Sequence, residues 1–226
     1  MSPLHIGPPR ELVVREERVR VGARARLLYA SDLHLGLPWT RRAAVLLAEV
    51  TASAQPDAVL LGGDLLQRGA GLADLEALVR KLGEYAPVAA VPGNHDVAVG
   101  RERVRAAVVD GGGHWLPDAP LAVADVQIAG RVSSGSGAHV LCAHDPAVWP
   151  HARAAGHTLT LAGHLHGCQV RLATRRGREY PGAWFYRWNG PRFESDGATL
   201  LVSRGAADGL PVRWDCPHDV LLAECV

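Results

Sequence analysis

The sequence predicts an α/β fold built on a mostly parallel sheet. Through the first half, short apolar runs alternate with amphipathic helical segments, the pattern of strands joined by crossover helices. Three of those runs stop at a polar cluster, SDLH, GGD and GNHD. The second half is richer in short extended runs.

The elements follow in order. Residues 1–10 hold three prolines and read as a loose arm. ELVVREERVRV alternates apolar with polar and predicts an edge strand. Residues 1–25 are therefore expected to be an arm with an edge strand, and 26–226 a single domain. RLLYA (26–30) is a buried strand that halts at Ser31-Asp32. Thr40 is placed to cap a helix over RRAAVLLAEVTASA, with Val45, Leu46, Ala48 and Val50 at helical spacing. AVLLGGD (58–64) is a second buried strand and LADLEALVRKLGE a second helix. VAAVPGNHD (88–96) is a third strand, and RERVRAAVVDGGG a third helix with a glycine stop. Beyond it, LAVAD, VQIAG, HVLCAHD, LTLAGHLH, ATLLVSRG and VLLAECV read as strands, and AVWPHARAAG as a helix or turn. SSGSG (133–137) predicts a flexible connection within the stretch from His114 to His139. No internal repeat or linker interrupts the chain.

Bulk properties exclude several classes. A chain of 226 residues that is 48% hydrophobic is long enough for one large core. The net charge of +1 gives no global electrostatic case for nucleic acid or an anionic membrane. Lys81 is the single lysine; the remaining basic residues are arginines. Cys142, Cys168, Cys216 and Cys225 form no CxxC pair, which argues against a thiolate zinc site and for reduced thiols. No signal-like segment or apolar stretch of the roughly 20 residues needed to span a bilayer is present, so a cytoplasmic location is expected. The oligomeric state is not encoded legibly.

The chemistry is carried by the strand ends. In chain order they present Asp32 and His34 (SDLHLG), Asp64 (GGD), Asn94 and His95 (GNHD), His144 (AHD), and His164 and His166 (GHLHG). Ligands of open α/β sheets gather at the carboxyl ends of strands. Aspartate and histidine without sulfur suit manganese, iron, zinc or nickel. With His95 set aside, seven candidates are too many for one ion and enough for two that share an aspartate. In extended chain, residues two apart point the same way, so D-x-H and H-x-H spacings predict convergence. The bland alternatives are helix capping by Asp32 and Asp64, a turn role for Asn94, and packing for the histidine pair. Capping does not account for the histidines.

The ordered series SDLHLG, GGD, GNHD, AHD, GHLHG resembles the calcineurin-like metallophosphoesterase superfamily, from about Leu27 to about Gln169. The stretch LLVSRGAADGLPVRWDCPHDVLLAE further resembles the bacterial YkuE/YaeI-like phosphodiesterase branch. The resemblance implies a four-layer αββα sandwich of two mixed β-sheets flanked by helices. It implies one metal site at Asp32, His34, Asp64 and His166, a second at Asp64, Asn94, His144 and His164, and Asp64 as the bridge. It implies two divalent ions, manganese first and iron, zinc or nickel as alternatives. The expected reaction is hydrolysis of a small phosphoester, diester preferred over monoester, by a hydroxide between the two cations. His95 is the expected general acid.

The chain departs from the pattern in places. Many relatives carry an aspartate three residues after the bridging one, where it orients the catalytic histidine; Gln67 stands there. Arg68 has the spacing of the arginine that protein phosphatases use for phosphate, which makes it a candidate substrate contact. Leu165 and Cys168 replace the usual threonine and glycine; Leu165 is expected to point away from the metals and Cys168 to be small and buried. Trp184, Phe185, Tyr186 and Trp188 are expected to pack under the C-terminal strands, with base stacking as the alternative, and Arg175, Arg176 and Arg178 to form a solvated turn, with phosphate or nucleic-acid contact as the alternative. A nuclease or nucleotide phosphodiesterase is the alternative enzyme, and would need a cationic or aromatic track beside the metals. A binding scaffold without catalysis is the non-enzymatic alternative.

Overall fold

The structure is a computed structural model that describes residues 4–133 and 140–226. Of the SSGSG connection only Ser133 falls among them; its remainder, His139 and the first three residues of the arm lie outside the described residues.

Two six-stranded sheets stack face to face. The first runs, edge to edge, Val13–Val19, Asp219–Cys225, Ala25–Ala30, Ala58–Gly62, Val88–Val91 and His114–Trp115. Its last four strands are parallel, while Asp219–Cys225 lies antiparallel to Ala25–Ala30 and parallel to Val13–Val19. The second sheet runs Arg192–Ser195, Ala198–Val202, Leu159–Ala162, Val140–Cys142, Val126–Ala129 and Leu121–Val123. Both are mixed, as expected for the sandwich.

Alternation explains why the strands read as unbroken apolar runs. In Ala25–Ala30, Leu27 and Tyr29 face the second sheet, whereas Leu28 and Ala30 face the helices. Leu60 and Leu61 divide in the same way on the next strand. A strand covered on both faces has no polar side to show. The helices Arg41–Ala54, Leu72–Gly83 and Asn94–Asp110 cover the outer face of the first sheet. Leu72–Gly83 buries Leu75, Leu78, Val79 and Leu82 at helical spacing, with Asp74 in its first turn and Arg80 and Lys81 in its last, charges that suit the helix dipole. On the far side the helical layer is the short Trp149–Ala154, in the AVWPHARAAG segment.

Several expectations need correction. Thr40 precedes the first helix, yet its hydroxyl donates to the Leu37 carbonyl and does not cap. The third helix begins at Asn94, so GNHD is its first turn and not a loop before it; Gly100, at φ 118°, breaks its regularity. Two small antiparallel pairs escaped the sequence pattern, Leu4–Ile6 with Val212–Trp214 and the hairpin Arg171–Arg175 with Arg178–Pro181. Of the four aromatics, only Trp188 packs inward, edge-on to Trp149 and Phe193 at 4.8 and 5.2 Å. Trp184, Phe185 and Tyr186 are exposed, because the short turn Gly182–Trp184 buries Gly182 and Ala183 and turns the next residues outward. Arg175 and Arg176 are solvated, but Arg178 is tied to the carbonyls of Ala183 and Tyr186.

Candidate metal centre

The strand ends that carry the polar clusters meet at one rim of the sandwich. Asp32 and His34 follow Ala25–Ala30, Asp64 follows Ala58–Gly62, and Asn94 and His95 follow Val88–Val91. His144 follows Val140–Cys142, and His164 and His166 follow Leu159–Ala162. The first sheet thus supplies five of these residues and the second sheet three.

The convergence does not come from strand alternation, as the D-x-H and H-x-H spacings suggested. Asp32, His34, Asp64, His164 and His166 all have left-handed backbones, with φ between 47° and 71°. Positive φ is uncommon outside glycine, and such residues cluster where surrounding structure imposes them for function. Glycines let the loops close. A Cβ on Gly163 would overlap the Ser31 hydroxyl and lie 2.6 Å from Asp32 Oδ2, so only glycine lets the second sheet approach the first here.

Among the described residues, the donor atoms fall into three overlapping groups: Asp32, His34 and His166; His34, Asp64 and His95; and Asp64, His144 and His164. His34 Nε2 and His166 Nε2 are 3.2 Å apart, and His166 Nε2 is 3.4 Å from Asp32 Oδ1. His144 Nε2 lies 3.0 Å from His164 Nδ1, 3.2 Å from Asn94 Oδ1 and 3.4 Å from Asp64 Oδ2. Metal–ligand bonds of about 2.0–2.2 Å place neighbouring ligand atoms about 3.0–3.5 Å apart, which is this spacing. One buried atom adds to the fit. Asp32 Oδ2 accepts from Ser31 Oγ and the His164 N–H, but Asp32 Oδ1 is buried with no hydrogen-bond donor. A buried carboxylate oxygen without a donor is costly unless a cation meets it.

Charge in the cluster is unevenly held. Burial alone would lower His144, but the carboxylates of Asp64 and Asp32 carry it up to about 9. Burial raises Asp64, yet His144, the His95 N–H and His34 together bring it down to about 2. Burial and the neighbouring His166 push His34 down to about 4.

The residues around this set differ from expectation. Gln67 accepts a hydrogen bond from His34, Oε1 to Nδ1 2.7 Å, so it orients His34 and not His95. Asp96 does not reach His95 either. It accepts from the N–H groups of Gly93, Leu65 and Leu66, locking the Asp64 loop to the Asn94 turn, and burial pushes its carboxyl up to about 6 against those donors. Asp64 does meet a helix N-terminus, but a distant one, through the His95 N–H at 2.8 Å. Capping and ligation are thus compatible. Arg68 is exposed beside Gly36, and its guanidinium has no ion-pair partner among the described residues. Leu165 is buried, while Cys168 is half-buried against Asn189.

Asp208 was missed. It accepts from His166 Nδ1 and His218 Nε2, both at 2.8 Å, and from Arg213 through Nε and Nη2, both at 2.7 Å. Burial would raise its carboxyl, but the imidazoles and the guanidinium hold it far below the usual range. The signal was present in RGAADG, a glycine-and-aspartate cluster after the strand ATLLV, the same pattern as the other strand ends.

A family model described as calcineurin-like phosphoesterase matches residues 25–168. The chain belongs to the calcineurin-like phosphoesterase family. The match covers every one of these strand-end clusters except that of Asp208. Among solved structures, the fold is similar to a Pseudomonas putida nuclease, MPE, at TM-score 0.43 and 19% identity over 79% of this chain and 74% of that one. It is also similar to the Thermus thermophilus protein TT1561, at TM-score 0.47 and 13% identity over 81% and 90%. A search of curated protein sequences gives no match. Among the described residues, no helix of this phosphoesterase is long and apolar enough to cross a membrane.

Proposed function

We propose that this phosphoesterase is a phosphodiesterase that uses two divalent cations, manganese first. Asp32, His34, Asp64 and His166 would hold one, and Asp64, Asn94, His144 and His164 the other, with Asp64 common to both sets. The observation that supports this most is the buried Asp32 oxygen without a donor, facing His166 at 3.4 Å. The resemblance of the C-terminal stretch to the YkuE/YaeI-like branch supports the diester preference.

When bound, such cations polarise phosphoryl oxygens and supply an activated water. The chain's own groups do the rest. Ser31 and the His164 N–H fix Asp32, Gln67 fixes His34, and Asp208 fixes His166, so the imidazoles present defined faces. His95 is the general acid. Its side chain is 37% exposed, and its Nε2 is 3.9 Å from Asp64 Oδ2, at the mouth of the cluster where a leaving alkoxide can take its proton. Arg68, exposed and next in the chain to Gln67, is the candidate contact for a substrate phosphate.

Hydrolysis of bis-p-nitrophenyl phosphate by metal-stripped protein reloaded with manganese tests this, beside p-nitrophenyl phosphate and the variants Asp64→Asn and His95→Ala. Diester cleavage that exceeds monoester cleavage and collapses with Asp64→Asn is expected. Two bound ions with no cleavage of either compound would refute it.

A further inference from the structure

The exposed aromatics form a surface that the proposed centre does not use. Trp184 and Phe185 are 72% and 78% exposed, and Tyr186 and Leu172 of the same segment are exposed as well. Monomeric proteins seldom leave such side chains contiguous on the surface without a partner. The same segment is strongly basic. From Arg171 to Trp188 the chain has five arginines and one carboxylate, Glu179. Glu179 is buried and bound by Arg204 and Arg171. Arg175, Arg176 and Arg187 have no carboxylate partner among the described residues and project to solvent.

The segment also stands next to the metal centre. The hairpin Arg171–Arg175/Arg178–Pro181 begins straight after the turn His166–Gln169. Gly182, which starts the turn bearing Trp184, is in contact with Cys168; a Cβ there would overlap the Cys168 sulfur. The rings are braced: Tyr180 meets Trp184 edge-on at 5.9 Å, Arg178 lies 6.0 Å from the Tyr180 ring, and Arg187 lies 4.6 Å from the Trp188 ring.

We propose that Trp184, Phe185 and Tyr186, with Arg175, Arg176 and Arg187, form a platform for single-stranded nucleic acid beside the metal centre. Flat rings stack on unpaired bases, and cations between them track the phosphates; this pairing is how sequence-independent single-strand sites are built. The near-neutral charge of the whole chain does not oppose it, because the positive charge is local. The inference rests on the phosphodiesterase reading for its consequence: a strand lying on the platform offers diester after diester to the centre.

Binding is measured separately from hydrolysis. Fluorescence anisotropy of a 5′-labelled thymidine 20-mer and a uridine 20-mer, in EDTA so that strands stay intact, reads the platform alone. Binding that weakens steeply with salt is expected, with at least a tenfold loss in Trp184→Ala/Phe185→Ala and, separately, in Arg175→Glu/Arg176→Glu. Bis-p-nitrophenyl phosphate hydrolysis by both variants stays at the parent level. No binding, or binding that neither variant changes, overturns the proposal. Binding to vesicles of phosphatidylcholine with phosphatidylglycerol, lost in both variants and without oligonucleotide binding, also overturns it, in favour of a membrane surface. Failed hydrolysis by the parent protein counts against the phosphodiesterase reading and leaves the binding result standing.

Discussion

Replacing Asp208 with asparagine separates two roles that the structure combines in one carboxylate. Asp208 neutralises Arg213, a guanidinium only 1% exposed, through two hydrogen bonds of 2.7 Å, and it holds the Nδ1 of His166. Asparagine keeps the size and removes the charge. Leaving a buried cation unpaired costs about 3–5 kcal/mol. For a chain of this length each kcal/mol moves the melting midpoint by about 2–4 °C, so calorimetry of the metal-free variant is expected to show a Tm lower by about 6–20 °C. Loss of the partner that orients a ligating histidine lowers metal affinity by about 10–100-fold, which titration calorimetry with manganese reads. The sign with pH is also fixed. A carboxyl held below its unfolded value stabilises the fold fully above about pH 4 and loses that contribution as pH falls through the folded value. The gap between parent and variant therefore narrows in acid. A Tm within about 2 °C of the parent at neutral pH, with unchanged manganese affinity, would refute both parts of the reasoning.

Three further outcomes follow from the site. His95→Ala is expected to lower kcat by about 10²–10⁴-fold, and more for a diester with an alkyl leaving group than for a p-nitrophenyl one, since nitrophenolate departs without a proton; equal losses on both would remove His95 as the acid. Gln67→Ala is expected to weaken manganese binding about tenfold by freeing the His34 ring, while the alkaline limb of the pH–rate profile stays in place, because Gln67 touches His34 and not His95; a shifted limb would contradict that contact. Manganese affinity is expected to rise with pH between about 6 and 9, because His144, held up to about 9 by Asp64 and Asp32, must lose its proton to the ion. A flat affinity profile over that range, or no proton release on loading, would count against His144 as a ligand.

The legible part of this chain was the part decided locally. Buried strands announce themselves as short apolar runs, and Asp32, His34, Asp64, Asn94, His95, His144, His164 and His166 stand where those runs stop. Their chemistry needed no contact map. What stayed hidden depends on segments far apart in the chain. Gln67 sits in the expected position but faces His34, while Asp96, within the Asn94 turn, is held by the N–H groups of Leu65 and Leu66 in the Asp64 loop. Asp208 reaches His166 across 42 residues. The hairpin Arg171–Arg175/Arg178–Pro181 is mostly solvent-facing along its first strand, so its apolar spacing carried no signal of a strand, and the outward turn of Trp184 and Phe185 follows from that hairpin. Hydrophobic content alone predicts burial for a tryptophan; only the fold reveals one left outside.

The strand Asp219–Cys225 lies in the interior of the first sheet, between Val13–Val19 and Ala25–Ala30. During synthesis the two flanking strands leave the ribosome long before the one that joins them. Until it arrives, the nascent sheet has a gap with open hydrogen-bonding edges on both sides, which invite pairing with other chains. Cleavage before Asp219 would therefore remove a central rung and leave Val13–Val19 without a neighbour in the sheet. Only this late strand closes the gap, so a nascent molecule carries a complete row of strand-end imidazoles before its own sheet is whole.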